Sequence, residues 1–381
     1  MTKRRSRVLA LMAPLALAAG FLPGWLATAA IEVDELDRYI FVANRTSAEI
    51  AVIDARNDQV VERLDLGSKP ESFLLSGSLG LLVAAHPQER RLSILDLASK
   101  RTVEVIDAGF RPELIQMNGD GDLLAAADPQ SGRLLLVGLD GREPRQEIDG
   151  LPAPSDLVFD RDGERLFVAS GSEGRIDVVS LAEGRVTAVI DLGGELPGIA
   201  DLVRTPGGGT ALALHGQSGE VSVIDLPKAE AVAKLRLPGP ALRGFPANNS
   251  QFFLIPNGQD GSISSVSTWT HRETARLPAA PDVQGVNLGM FDTLGFAISR
   301  SGRQAVALDL QDGQRVKAID LPGTPGTGVS AEAGTKLYVA LSSSDQIAVI
   351  DLMHRRLLRL IDDVGEQPWA VNRAGGLSYC H

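Results

Sequence analysis

Residues 50–67 read "IAVIDARNDQVVERLDLG". The same grammar returns at 92–109 as "LSILDLASKRTVEVIDAG", at 221–239 as "VSVIDLPKAEAVAKLRLPG" and at 347–365 as "IAVIDLMHRRLLRLIDDVG". Each is an alternating apolar run, a short polar turn and a second alternating run, the period-two pattern of a β-hairpin. Aligned on the Asp of "VID", the repeat places Asp54, Asp96, Gly138, Ser180, Asp225, Ser267, Asp309 and Asp351 in register. Successive gaps are 42, 42, 42, 45, 42, 42 and 42 residues. The one longer gap has room for its extra residues in "GGELPG" or "TPGGG". A period of about 40–45 residues with four strands per unit is the signature of a propeller blade.

A second strand pair precedes each hairpin. Residues 154–194, "PSDLVFDRDGERLFVASGSEGRIDVVSLAEGRVTAVIDLGG", predict strand A at 155–159, strand B at 165–169, strand C at 175–180 and strand D at 186–192. Gly163 supplies a permissive backbone in the turn between A and B. Eight aligned positions predict an all-β, eight-bladed β-propeller of four-stranded antiparallel blades. The first repeat begins at its strand B, "RYIFVA" (38–43), and its strand A is found at the other end, in "QPWAVNR" (367–373). Pro368 stands there as Pro70 and Pro112 stand in their own repeats. The C-terminal strand A is thus expected to join the N-terminal strands B–D and close the ring, which limits exposed sheet edge.

These strand B segments, "YIFVANRTSAEIAVID", "LFVASGSEGRIDVVS" and "LYVALSSSDQIAVID", resemble the YVTN-type β-propeller repeat family, over essentially the whole chain after residue 29. The resemblance implies the fold. It implies little about activity, because that family holds binding proteins, surface proteins and lactonase-like propellers. Eight blades also resemble the haem-binding domain of cytochrome-type nitrite reductases and its maturation relatives, an analogy of fold alone.

Residues 1–29 read as a secretion signal, followed by one propeller domain over 30–381. Lys3, Arg4, Arg5 and Arg7 precede an apolar stretch at 8–22, and Ala27-Thr28-Ala29 is an A-x-A cleavage site. A retained anchor is the alternative, but Pro14, Gly20, Pro23 and Gly24 interrupt the ~20 apolar residues a span requires. The expected location is periplasmic or secreted, with no membrane span in the mature chain. Removing the leader takes four basic residues and no acids from a chain of 37 basic and 48 acidic residues, leaving a formal charge of −15. Such a surface argues against nucleic acid, which needs clustered Lys and Arg. It suits cationic ligands, metal ions or basic partner patches, or solvation alone. A single cysteine excludes an internal disulfide framework, so stability must come from a core, and 44% hydrophobic residues supply one.

Propeller topology sorts the loops onto two faces. The D-to-A and B-to-C connections share the mouth, the usual ligand face. There the strand B ends form a ring of Asn44, His86, Asp128, Ser170, His215, Asn257, Ser299 and Leu341. Nearer the channel lie Glu71, Glu113, Asp156, Asp201, Arg243, Gln284 and Trp369, read as an acidic entrance for a small polar or cationic ligand, or for a partner protein. Loop residues after a strand are also polar simply because they are wet. His86 and His215, three blades apart, stand too far from each other to share one metal ion and read as exposed loop histidines. The "VID" acids read as turn-formers, since Asp accepts local backbone hydrogen bonds and Gly or Ser replaces it.

No nucleophile elbow, P-loop or metal-binding His pair is present, and no catalytic residue is assigned. "DRDGE" and "NGDGD" lack the spacing of the twelve-residue calcium loop. The tail "GGLSYCH" (375–381) carries the only cysteine. Covalent c-type haem needs C-x-x-C-H, and Leu377 occupies the first cysteine position. Cys380, His381 and, from the neighbouring blade, His354 are then candidate ligands for zinc or copper on the face opposite the mouth, with a frayed terminus as the alternative. The leading functional expectation is an exported binding or scaffold protein that uses the channel mouth. A periplasmic metal or haem carrier or maturation protein, and a lactonase- or lyase-like enzyme with His86 or His215 as acid–base group, are the alternatives.

Overall fold

In the computed structural model, described for residues 31–141, 145–193, 198–289, 291–331 and 334–374, thirty-two strands form eight separate four-stranded antiparallel sheets. Blade 1 comprises β1 (Tyr39–Asn44), β2 (Glu49–Asp54) and β3 (Gln59–Asp65). Blade 2 is β4 (Ser72–Ser76), β5 (Leu81–His86), β6 (Arg91–Asp96) and β7 (Arg101–Asp107). Blade 3 is β8 (Leu114–Met117), β9 (Leu123–Asp128), β10 (Arg133–Gly138) and β11 (Gln146–Ile148). Blade 4 is β12 (Pro154–Phe159), β13 (Arg165–Ser170), β14 (Arg175–Ser180) and β15 (Arg185–Asp191). Blade 5 is β16 (Asp201–Arg204), β17 (Thr210–Leu214), β18 (Glu220–Asp225) and β19 (Glu230–Arg236). Blade 6 is β20 (Phe245–Pro246), β21 (Phe252–Pro256), β22 (Ser262–Ser267) and β23 (Glu273–Pro278). Blade 7 is β24 (Val283–Gly289), β25 (Leu294–Ser299), β26 (Gln304–Asp309) and β27 (Gln314–Asp320). Blade 8 is β28 (Pro325–Ala331), β29 (Lys336–Leu341), β30 (Gln346–Asp351) and β31 (Arg356–Ile361), and β32 (Pro368–Asn372) completes blade 1.

The eight aligned positions are the last residues of the eight C strands. Their acids shape the turn that follows. Asp96 accepts the Ser99 amide at 2.6 Å, Asp225 that of Lys228 and Asp351 that of His354. Ser267 does the same for Trp269 and Thr270. The blade 4 strands fall within a residue of their expected bounds, and Gly163 takes φ 67°, the left-handed conformation its turn requires. The three extra residues lie in the D-to-A connection after β15, not at "TPGGG". There Gly198 is indispensable, because a Cβ at that position would sit 1.8 Å from the Gly171 carbonyl oxygen.

Strands B and C are buried on both faces, so alternate residues serve alternate neighbours. In β1, Phe41 packs toward blade 2 with Phe73 and Leu82, whereas Ile40 and Val42 pack toward blade 8 with Tyr338 and Ile347. In β13, Leu166 and Val168 face blade 3, while Phe167 and Ala169 face blade 5. Eight apolar clusters fill eight blade interfaces. The D strands form the rim; β7, for instance, is exposed along most of its length.

The ring closes as the repeat requires. β32 pairs antiparallel with β1, with Phe41 opposite Asn372, Val42 opposite Val371 and Ala43 opposite Ala370. A polar lock reinforces this seam on the face opposite the mouth. Asp58, in the blade 1 C-to-D turn, accepts bonds from Lys336 Nζ at 2.9 Å and Tyr338 Oη at 2.5 Å, both from β29 of blade 8. Arg38 grips Asp54 in a two-pronged ion pair through Nε, at 2.8 Å, and Nη2. The Arg38 guanidinium holds the Asp54 carboxyl below its usual range.

Asp58→Asn keeps the shape and tolerates the φ of 58° but removes the charge from a nearly buried pair. It is expected to lower unfolding stability by about 2 kcal/mol, the scale of hydrogen bonds to a charged group. Urea denaturation measures this, with Asp120→Asn at an exposed turn as the control.

Candidate functional site

The polar ring at the strand B ends is not wet. Asn44, His86, Asp128, Ser170, His215, Asn257 and Ser299 are all at most 4% exposed. Several of them clamp the connection that enters their own blade. Ser170 Oγ donates to Pro152 O at 2.7 Å, Ser299 Oγ to Pro281 O at 2.6 Å and Asn44 Nδ2 to Val364 O at 2.8 Å. Leu341 cannot do this, and Ser342 beside it bonds Thr324 O at 3.3 Å instead.

The two histidines belong to this framework, which corrects their reading as exposed loop residues. His86 Nδ1 lies 3.1 Å from Lys69 O and 2.9 Å from Ser68 Oγ. Its Nε2 is buried without a hydrogen-bond partner. Burial pushes the His86 imidazole below its ordinary pKa, against the Lys69 carbonyl, which favours the proton. His215 Nε2 lies 3.0 Å from Ser222 Oγ.

The expected acidic entrance divides in two. Glu71 and Glu113 precede β4 and β8 and are exposed or half-buried. Asp156 and Asp201 lie among the first residues of β12 and β16, one register position over, and point between blades. Asp156 accepts its neighbour Leu157 N and, at 2.7 Å, Leu202 N of blade 5. Asp201 accepts Gly244 N of blade 6 at 2.8 Å. These carboxylates staple successive inner strands.

Arg243, Gln284 and Trp369, by contrast, converge on one cavity at the mouth. It encloses about 260 Å³ over blades 6, 7, 8 and 1 and is completed by Arg45, Arg300, Gly326, Thr327 and Ser342. The Arg45 guanidinium lies over the Trp369 ring, 5.8 Å from its centroid. Gln284 is oriented by Asp282 at 2.6 Å. Thr327 Oγ1 donates to Trp369 O at 3.2 Å, from the inner strand of blade 8 to the closing strand β32. The lining therefore presents three guanidinium groups, an amide and two hydroxyls, and no carboxylate. Sequence reading missed Arg45 and Arg300, although the repeat marks them. Each follows its ring residue directly, where the other blades carry Pro87, Pro129, Gly171, Gly216, Gly258 and Ser342.

The acids gather on the opposite face. A cavity of about 970 Å³ between the turns of blades 3 and 4 is lined by Asp120, Asp122, Asp140, Asp162, Glu164 and Glu183, with Arg165. His354 lies on that face too, exposed, with Nδ1 2.7 Å from Asp351 Oδ2. Among the described residues no group of three His, Cys, Asp or Glu side chains is placed to hold a metal ion. Cys380 and His381 lie outside the described residues. No helix among the described residues is long and apolar enough to cross a membrane.

The fold and site define an eight-bladed β-propeller with a mouth cavity. No protein-family model matches the chain, and no curated protein matches it. Solved structures do. Dihydro-heme d1 dehydrogenase NirN, in complex with DHE, is similar over 91% of this chain and 77% of its own, at 15% identity and a TM-score of 0.77. Apo AztD from Citrobacter koseri is similar over 89% of this chain and 99% of its own, at 15% identity and a TM-score of 0.68. Hydrazine synthase from Kuenenia stuttgartiensis covers 74% of this chain at 16% identity and a TM-score of 0.56. At these identities the likeness establishes the fold alone.

A buried histidine held neutral makes stability depend on pH. With its folded pKa below the unfolded value of roughly 6.5, the His86 contribution is complete above that value and is lost as pH falls below it. Wild type should therefore lose stability between pH 7 and 5 faster than His86→Gln. Urea midpoints of the two proteins measured across that range check the expected narrowing.

Proposed function

We propose that this protein is an exported YVTN-type propeller that binds a small polar ligand at its mouth and does not turn it over. The observation that carries this reading is the convergence of Arg45, Arg243, Gln284, Arg300 and Trp369 on one cavity of about 260 Å³. Compact concave sites with a few oriented polar groups are where propellers and other scaffolds hold ligands. Catalysis by general acid and base needs a titratable group within reach of that site. The cavity lining has no acid and no histidine; Asp156 and Asp201 join successive blades, and His86 and His215 are buried and hydrogen-bonded within the frame. The basic leader and A-x-A site at residues 27–29 support export to the periplasm.

A second reading, a carrier of a haem-class tetrapyrrole, draws support from the same arginines and from the fold of NirN, solved in complex with DHE. Tetrapyrroles carry carboxylates that a guanidinium fork would hold. A cavity of this size would take such an edge, with the macrocycle lying over the mouth.

Protein purified from its own export compartment is expected to begin at Ala30 by N-terminal sequencing and to carry a small molecule detectable by mass spectrometry. Arg243→Gln with Gln284→Leu should abolish that retention at unchanged melting temperature, while Asp120→Asn with Asp162→Asn on the far face should not. Retention by the mouth variant, or turnover of a lactone by the wild type, would remove the binding reading. A Soret absorbance band lost in the mouth variant would select the carrier.

A further inference from the structure

The mouth cavity is built against the charge of its own protein. The chain has a formal charge of −11, or −15 without the leader, yet three guanidinium groups and no carboxylate line this one recess. Many arginines elsewhere on this fold are paired. Arg38, Arg63, Arg133, Arg165 and Arg175 each hold a carboxylate within 3.1 Å. Arg45 and Arg300 have no carboxylate partner among the described residues, and both project from the repeat position that elsewhere carries only Pro, Gly or Ser.

They stand on either side of blade 8, whose inner strand contributes Gly326 and Thr327 to the cavity wall. Three like charges around a small recess repel one another, and that repulsion is relieved when an anion enters. The guanidinium fork matches an oxyanion bidentately. The half-buried Trp369 ring adds an apolar wall that an inorganic ion would not use.

Resting on the mouth-binding reading above, we propose that the ligand is a compact organic polycarboxylate. One carboxylate lies between Arg45 and Arg300, a second lies toward Arg243 and Gln284, and the carbon chain lies along Trp369. This replaces the cationic ligand that the net charge suggested. Ser342 and Thr327 already donate to backbone carbonyls, so selectivity rests on the guanidinium groups.

The chain has three tryptophans, of which Trp25 lies in the leader, so Trp269→Phe in the protein from Ala30 onward leaves Trp369 as the sole reporter. Titration of that protein with citrate and succinate is expected to give a saturable fluorescence change, tighter than with phosphate and absent with choline chloride. Arg45→Gln and Arg300→Gln should each weaken it ~tenfold or more, and Arg300→Lys by less, with melting temperatures unchanged. No saturable change with either polycarboxylate overturns the proposal. So does a response equal to that of phosphate, a response to choline, or affinities unaltered in both Gln variants. If the molecule recovered from native protein proves neutral or cationic but is lost on Arg243→Gln with Gln284→Leu, mouth binding survives and the anion assignment falls. If that variant retains it, both fall.

Discussion

The structure depends on one edge. β1 is an interior strand that begins the chain's ordered repeat with no partner on its inner side, and only β32, more than three hundred residues later, fills it. Without that pairing, blade 1 would present an open row of backbone donors and acceptors, and the wall of Ile40, Val42 and Val371 that packs against blade 8 would lose its inner strand. The remaining seven blades are local hairpin sequences whose strands pair with their sequence neighbours. Closure is therefore the one long-range step that folding must accomplish, and loop-closure entropy opposes it. The clustering of polar locks at this seam has its reason here. Asp58 with Lys336 and Tyr338 on one face and Asn44 with Val364 at the mouth both cross it, and Thr327 with Trp369 ties the closing strand to blade 8.

A ring of two-faced sheets leaves polar side chains few places to go. Residues at strand ends are covered by the connections of their own and adjacent blades, so each needs a partner or incurs the cost of desolvation. Ser170, Ser299 and Asn44 meet that demand by binding backbone carbonyls, and Asp156 and Asp201 by binding backbone amides. Such groups resemble a functional ring in projection because the repeat places them at equivalent heights around the channel. Their geometry assigns them to the frame. His86 shows the cost of that assignment, with one ring nitrogen satisfied and the other buried without a partner.

The architecture was legible in the sequence because strand length, turn length and the position that ends each C strand, Asp in five blades of eight, repeat with so little drift. Eight aligned positions became eight strand ends, and Pro368 located the closing strand by analogy with Pro70. The mouth was less legible for two physical reasons. A single residue of register separates Glu71, which faces out, from Asp156, which faces a neighbouring strand, and alignment of a loosely spaced inner strand does not resolve one residue. The cavity also draws on four blades at once, so Arg45 and Arg300 lie far apart in sequence and near in space. They are conspicuous only when the position after each ring residue is read across all the blades.

Charge is partitioned between the two faces, and that partition shapes what each can do. Six carboxylates line the large recess between the turns of blades 3 and 4, while the mouth recess holds three guanidinium groups. An anion approaching from afar meets the negative field of the whole molecule, so long-range steering works against it. At physiological ionic strength that field is screened beyond about 8 Å. The guanidinium groups act at hydrogen-bonding distance and are screened far less. A site of this kind gains selectivity from contact geometry and gives up encounter rate. That trade suits a protein that holds a ligand more than one that must process a stream of them.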